Sequence, residues 1–187
     1  GETSQTVNHG KDGTAVTAAP ATNYHFVEWT DGKIANPRID TNITENISVT
    51  ANFAINTYTV TFKDHDEKVL KTETVAHGSN ATAPDNPTRE GYTFAGWDKD
   101  FTTVTADLTV TVQYTINTYT VTFDKNGGNT EAAPRTMTVT YGGTVDTLPT
   151  PPTREGAVFA GWNTEAGDEF KADTIVTGDI TVYAQWE

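Results

Sequence analysis

The chain has 187 residues, with Lys+Arg 12 against Asp+Glu 25, a formal net charge of −13 and no cysteine. Such acidity repels phosphate backbones and anionic lipid surfaces, which speaks against nucleic acid as a partner. The missing thiols exclude disulfides and thiolate zinc sites, and no apolar run approaches the roughly 18 residues of a spanning helix, so no membrane insertion is expected of this segment.

Taken in order, the chain opens on a polar stretch and then on Thr6-Val7-Asn8-His9-Gly10, which returns as Thr74-Val75-Ala76-His77-Gly78 and Thr138-Val139-Thr140-Tyr141-Gly142. Next comes Asn23-Tyr24-His25-Phe26-Val27-Glu28-Trp29, a divergent copy of Gly91-Tyr92-Thr93-Phe94-Ala95-Gly96-Trp97 and of Gly156-Ala157-Val158-Phe159-Ala160-Gly161-Trp162. The closing glycine and the tryptophan lie 19, 19 and 20 residues apart in the three copies. Self-similarity at fixed spacing identifies a tandem array, here with units at 1–54, 55–115 and 116–187. The structural signature is Tyr24, Phe26 and Trp29 in the first unit, Gly91, Tyr92, Phe94, Gly96 and Trp97 in the second, and Gly156, Phe159, Gly161 and Trp162 in the third.

After each tryptophan a variable segment leads to a strand of strict alternation: Ile47, Val49, Ala51, Phe53, then Leu108, Val110, Val112, Tyr114, then Ile180, Val182, Ala184, Trp186. Period two with Thr, Ser, Asn and Gln between reads as a half-buried strand. The interval from tryptophan to strand end is 24, 17 and 24 residues, so the second unit has lost seven residues from what reads as a surface loop. The joints Ala54-Ile55-Asn56-Thr57 and Thr115-Ile116-Asn117-Thr118 are too short for flexible linkers. Each leads at once into a strand, with Tyr58, Val60, Phe62 or Tyr119, Val121, Phe123 inward and threonines outward. Asn126-Gly127 marks a turn of positive φ. The proline-rich stretches Pro84–Pro87 and Pro149–Pro152 predict an extended connection or one short helical turn.

Two local features carry expectations of their own. Gly91 and Gly156 align with Asn23, and glycine and asparagine share an ease with positive φ, which points to a backbone requirement. Phe94 and Trp97 are three apart and would face opposite sides of a regular strand, as would the matching pairs, so either both faces are covered or, the reading favoured here, a bulge at Gly96 turns the tryptophan to the core side. The first unit has no counterpart of Tyr58–Phe62 ahead of Val7; it is expected to lack its first strand and to be the least stable, or to borrow a strand from another molecule.

No constellation for catalysis emerges. Gly127-Gly128 and Gly142-Gly143 precede no helix or lysine, and Ser4, Ser48 and Ser79 sit in no nucleophile context. His9 and His77 align with Tyr141, which favours packing over ligation. Asp64 with Asp66 and Asp98 with Asp100 do not extend into a calcium loop. The reading is therefore no enzyme, no metal and no cofactor. The recurrent aromatics alternate in step with Val, Ile and Leu, which favours a core role over a sugar-stacking platform, because units of this size need those rings inside.

The succession Tyr-Thr-Val-Thr-Phe, a glycine turn, Pro-Thr-Arg-Glu-Gly-Tyr-Thr-Phe-Ala-Gly-Trp and a final alternating strand resembles the internalin B-repeat family, also called the Listeria and Bacteroides repeat. The third unit is the fullest match, and the first resembles the divergent form. The resemblance implies a mainly β fold, α+β at most, built of three small β-grasp-like (ubiquitin-like) units in an elongated array. It further implies a cell-surface, secreted or cell-wall-attached protein of a Gram-positive bacterium, in which the repeats form a semi-rigid stalk presenting another domain. The alternative is an adhesion module for a host protein or glycan. The partners so implied are other domains of the same surface protein, with a host protein or glycan under the alternative; the chain is expected to be a monomer, with strand exchange through the first unit open to it.

Overall fold

The computed structural model describes residues 4–187, and the described residues form eleven strands in three sheets with no helix. The first sheet pairs β1 (Tyr24–Trp29) with β2 (Ala51–Ile55) antiparallel. The second joins β3 (Thr57–Lys63), β4 (Val69–Ala76), β5 (Tyr92–Trp97) and β6 (Leu108–Ile116) in the order β4-β3-β6-β5. The third contains β7 (Thr118–Asp124), β8 (Thr136–Thr140), β9 (Phe159–Thr164), β10 (Glu169–Phe170) and β11 (Ile180–Trp186) in the order β10-β9-β11-β7-β8. The chain packs as two compact units, Gly1–Pro84 with Asp98–Thr111, and Asp85–Trp97 with Val112–Glu187.

The second and third sheets share one plan. Their first strands carry the same succession of exposed, half-buried and buried residues, with Val60 and Phe62, and Val121 and Phe123, fully buried and the threonines outside. Period two fixes which face each side chain takes, so the sequence pattern alone sets the register. The first strand then runs parallel to the last: Val60 pairs with Leu108 and Phe62 with Val110 in one sheet, and Val121 with Ile180 and Phe123 with Val182 in the other. An aspartate ahead of each last strand ties the pair together. The Asp107 Oδ1 accepts a hydrogen bond from the Thr59 amide at 2.8 Å, and the Asp179 Oδ1 accepts one from Thr120 at 2.7 Å.

A bulge resolves the three-residue spacing of the signature aromatics. In β5 the register shifts between Phe94 and Gly96, in β1 between Phe26 and Glu28, and opposite β9 between Gln185 and Trp186, where Gly161 and Phe159 are the partners. One extra residue per copy turns the tryptophan to the side of the phenylalanine. The rings consequently meet, with centroids 5.5 Å apart for Phe26–Trp29, 5.8 Å for Phe94–Trp97 and 5.3 Å for Phe159–Trp162. The segments ahead of the signature are extended, without the short helical turn that the prolines also allow.

Three expectations need correction. The strand read across Ile47–Phe53 begins only at Ala51, and Ile47 and Phe53 are exposed. The parallel neighbour that holds the matching Leu108–Thr111 in place has no counterpart here among the described residues. The seven residues by which the second and third units differ are also more than surface. They bring in β10, whose Phe170 is buried and packs edge-on to Phe123 at 6.1 Å. In the shorter second unit Phe101 meets Phe62 in the same manner at 5.2 Å. Finally, Trp97 is half-buried rather than fully enclosed.

Trp162 is 1% exposed and lies against Phe123 and Phe159. Trp162→Ala is therefore expected to cost about 3–5 kcal/mol, enough to unfold so small a unit by itself. Trp97→Ala should cost less, since part of its ring already faces water. Equal denaturant midpoints for wild type and Trp162→Ala would contradict this placement of the ring.

Candidate functional site

The signature residues occupy one local structure three times over. Asn23, Gly91 and Gly156 adopt φ of 67°, 75° and 73°, the left-handed conformation that the alignment of asparagine with glycine suggested. Gly96 and Gly161 also have positive φ, at 126° and 138°, whereas Glu28 at the matching place does not. Tyr24 is exposed and Tyr92 half-buried. Trp29 and Trp162 are buried, and the indole of Trp29 donates to the Ala35 carbonyl at 2.9 Å. Arg89, just ahead of the second copy, lays its guanidinium 3.8 Å from the Tyr92 ring centre, a cation–π contact.

The first element missed by sequence reasoning is the asparagine of each joint. The Asn56 amide donates to the Asn23 carbonyl at 2.8 Å, and its own carbonyl accepts from the His77 amide at 2.8 Å. Its side-chain oxygen lies 3.0 Å from the His25 Nδ1. Asn117 repeats this: its amide donates to Gly91 O at 2.9 Å, its carbonyl accepts from the Tyr141 amide at 2.9 Å, and its Oδ1 accepts from the Thr93 hydroxyl at 2.7 Å. One residue therefore binds the end of one sheet and the start of the next through three groups. The second joint is tighter still. The Tyr141 hydroxyl donates to the Glu90 carboxylate at 2.7 Å, which pushes the phenol pKa up, and a β-carbon on Gly91 would fall inside the Tyr141 ring. His77 and Tyr141, aligned in sequence, stack on Tyr58 and Tyr119 at 5.8 and 6.3 Å. The tetrapeptide Ile-Asn-Thr-Tyr occurs twice in the sequence, a signal that could have marked the asparagines.

The second missed element is an ion cluster confined to the first repeat. Arg38 is buried, donates to both Asp31 oxygens at 3.2 and 3.0 Å and to both Asp40 oxygens at 2.7 and 3.0 Å, and lies 5.0 Å from the Trp29 ring centre. Lys33 adds a 2.7 Å contact to Asp40. A buried guanidinium needs such paired acceptors, because an uncompensated one is costly. The hydrogen bonds from Arg38 hold both carboxyls below their ordinary value.

The acidic pairs close turns. Asp64 accepts from the His65 amide at 2.7 Å, and Asp66 accepts from that of Lys68 at 3.1 Å. Asp98 accepts from the Thr111 amide at 2.6 Å and Asp100 from that of Thr102 at 2.8 Å, with the Thr102 hydroxyl holding the Asp100 carboxyl low. Asp64, His65 and Asp66 bring their ligand atoms within 4.8 Å of one another.

Comparison with known proteins adds three kinds of match. The model of the Listeria-Bacteroides repeat domain matches residues 58–118 and 119–185, and that of the divergent InlB B-repeat domain matches residues 1–57. A protein of Evansella cellulosilytica named as a membrane protein is 36% identical over 159 residues, covering 77% of this chain and 23% of its own length. A second from that organism, named as a Gly-rich membrane protein, is 35% identical over 78% of this chain and 18% of itself. Internalin H of Listeria monocytogenes is 33% identical over 192 residues, 83% of this chain and 34% of the relative. The chain thus spans no more than about a third of the length of the relatives it matches.

The ion cluster sets an acid limit. A carboxyl whose folded pKa is depressed contributes stability in full above its unfolded value, near 3.8 here, and loses it as pH falls through the folded value. The first repeat is expected to keep its stability down to about pH 4 and to lose it below that. Asp40→Asn should flatten this limb while lowering stability at neutral pH. Superimposable acid titrations for wild type and variant, followed by amide resonances of residues 24–55, would rule the cluster out as a stabilising element.

Proposed function

The chain belongs to the Listeria-Bacteroides repeat family, and from that premise we propose that it is a non-catalytic, semi-rigid stalk or spacer. Its three units, 1–54, 55–115 and 116–187, hold other domains of the same polypeptide away from a bacterial surface, outside the cell or attached to its wall. The observation that carries this reading is the joint. Asn56 and Asn117 each tie two neighbouring sheets together through an amide, a carbonyl and a side-chain oxygen, and a flexible linker would offer no such ties. The acidic composition of the chain and its threonine-rich strands support it, since net charge far from zero keeps a repetitive protein from self-association. The names of the relatives, an internalin and two membrane proteins, support a surface setting.

Small-angle scattering tests the reading. A compact globule of this length has a radius of gyration of about 16 Å, and a stalk should exceed it clearly. The same sample on an array of host glycans and matrix proteins should return nothing above background. A globular scattering profile overturns the stalk, and a saturable ligand in the array makes the chain an adhesion module instead.

A further inference from the structure

The two joints share a backbone clasp but differ in the side chains that line it. In the first, the Asn56 amide donates to the Asn23 carbonyl and the Asn56 carbonyl accepts from the His77 amide; in the second, Asn117 does the same with Gly91 and Tyr141. The left-handed residue of one repeat and the residue ahead of the next repeat's closing glycine therefore meet across one asparagine. They are asparagine and histidine in the first joint, glycine and tyrosine in the second.

The second pair leaves no latitude. A β-carbon on Gly91 would fall inside the Tyr141 ring, against Cγ and Cδ1. That ring is held from two sides, since its hydroxyl donates to Glu90 Oε1 at 2.7 Å and its centre lies 6.3 Å from that of Tyr119. Glu90 immediately precedes Gly91, so one turn supplies both the space for the ring and the acceptor for its hydroxyl. The first joint has neither. Thr22 stands where Glu90 does, without a carboxylate, and Asn23 carries a β-carbon at a φ of 67°, close to the 75° of Gly91. The smaller ring of His77 packs there, 5.8 Å from Tyr58. His25, at the place of Thr93, contacts the joint asparagine through Nδ1 at 3.0 Å.

We propose that the signature end of a repeat is a keyed surface whose partner is the opening segment of the repeat that follows. Glu90-Gly91 selects a neighbour with tyrosine ahead of its closing glycine, and Thr22-Asn23 selects one with histidine. Specificity of this kind combines an attractive and a repulsive element. The Glu90 carboxylate attracts the phenol, and a β-carbon at the left-handed position repels the larger ring. The match thereby restricts which repeat can follow which. It deepens the stalk reading and rests on it for its use, the ordering of units along a stalk.

Compensating substitutions in the 187-residue chain separate a key from ordinary packing. Gly91→Asn is expected to speed exchange of the Asn117 and Tyr141 amides, the two donors of the clasp, by at least about tenfold. Gly91→Asn/Tyr141→His rebuilds the first joint's pair and should return both amides to within about threefold of wild type, a non-additivity that marks direct contact. In mirror image, His77→Tyr should loosen the amides of residues 56 and 77, and Asn23→Gly added to it should restore them. Gly156→Asn is the control for the asparagine itself, because Gly156 has a φ of 73° and a β-carbon there would meet nothing within 4 Å among the described residues. It should leave the Ala157 and Val158 amides within about threefold of wild type. The key is overturned by either double variant exchanging as fast as its single, or by Gly156→Asn loosening its own turn as much as Gly91→Asn loosens the joint. Should Gly91→Asn unfold its repeat outright, the double variant must fold and protect residues 117 and 141, and its failure to do so overturns the key as well. A globular scattering profile, by contrast, would remove the stalk and leave these exchange results standing.

Discussion

The second and third repeats depend on the parallel pairing of their first and last strands. Antiparallel neighbours such as β3 and β4 can be joined by a short turn, but the parallel pair joins residues 48 positions apart in one sheet (Val60 and Leu108) and 59 in the other (Val121 and Ile180), and closes the sheet across its middle. Where it is present, Val60, Phe62 and Val110, or Val121, Phe123 and Val182, are fully buried. In the first repeat, where no such pair is found among the described residues, the buried apolar side chains among those residues are Ala18 and Trp29, and Tyr24, Ile47 and Phe53 are exposed. An isolated two-stranded sheet is marginal in water. The Arg38 cluster therefore takes on a role in the first repeat that the second and third fill with hydrocarbon: Trp162 rests on Phe123 at 5.0 Å, Trp29 against a guanidinium at 5.0 Å.

The joints extend this logic from one repeat to the next. Within a unit the last strand passes straight into the first strand of its successor, leaving a single asparagine between them. Because that residue belongs to neither ladder, its amide, carbonyl and side chain are all available, and each is used to bind the flanking turns. The left-handed residue of the signature supplies one of those partners. The Asn23 and Gly91 carbonyls accept the joint amides, so the positive φ at these positions shapes the joint as well as the hairpin.

Much of this was legible in the sequence. Period-two alternation placed Val60, Phe62, Val121 and Phe123 inside, and the spacing of Phe94 from Trp97 left a bulge or two covered faces, of which the structure has the bulge, since strand geometry puts both rings on one face only with an extra residue. The alignment of asparagine with two glycines identified a left-handed backbone for the same steric reason. What escaped sequence reasoning depends on proximity rather than period. Phe170 lies in an insertion with no counterpart in the second repeat, and its packing against Phe123 appears only once β10 folds back on β9. Arg38, Asp31 and Asp40 occur once, so repetition could not mark them. The strand read across Ile47–Thr50 misled because alternation records a buried face and says nothing of whether the neighbour that buries it is there.

Native-state amide exchange along the last strands tests the parallel pair most directly. Residues 108–111 and 180–183 should be protected up to the opening free energy of their own repeats, while Ile47, Ser48 and Val49 exchange close to the rate of an unstructured peptide. Comparable protection at all three places would contradict the account, because the last strand would then be held without the first.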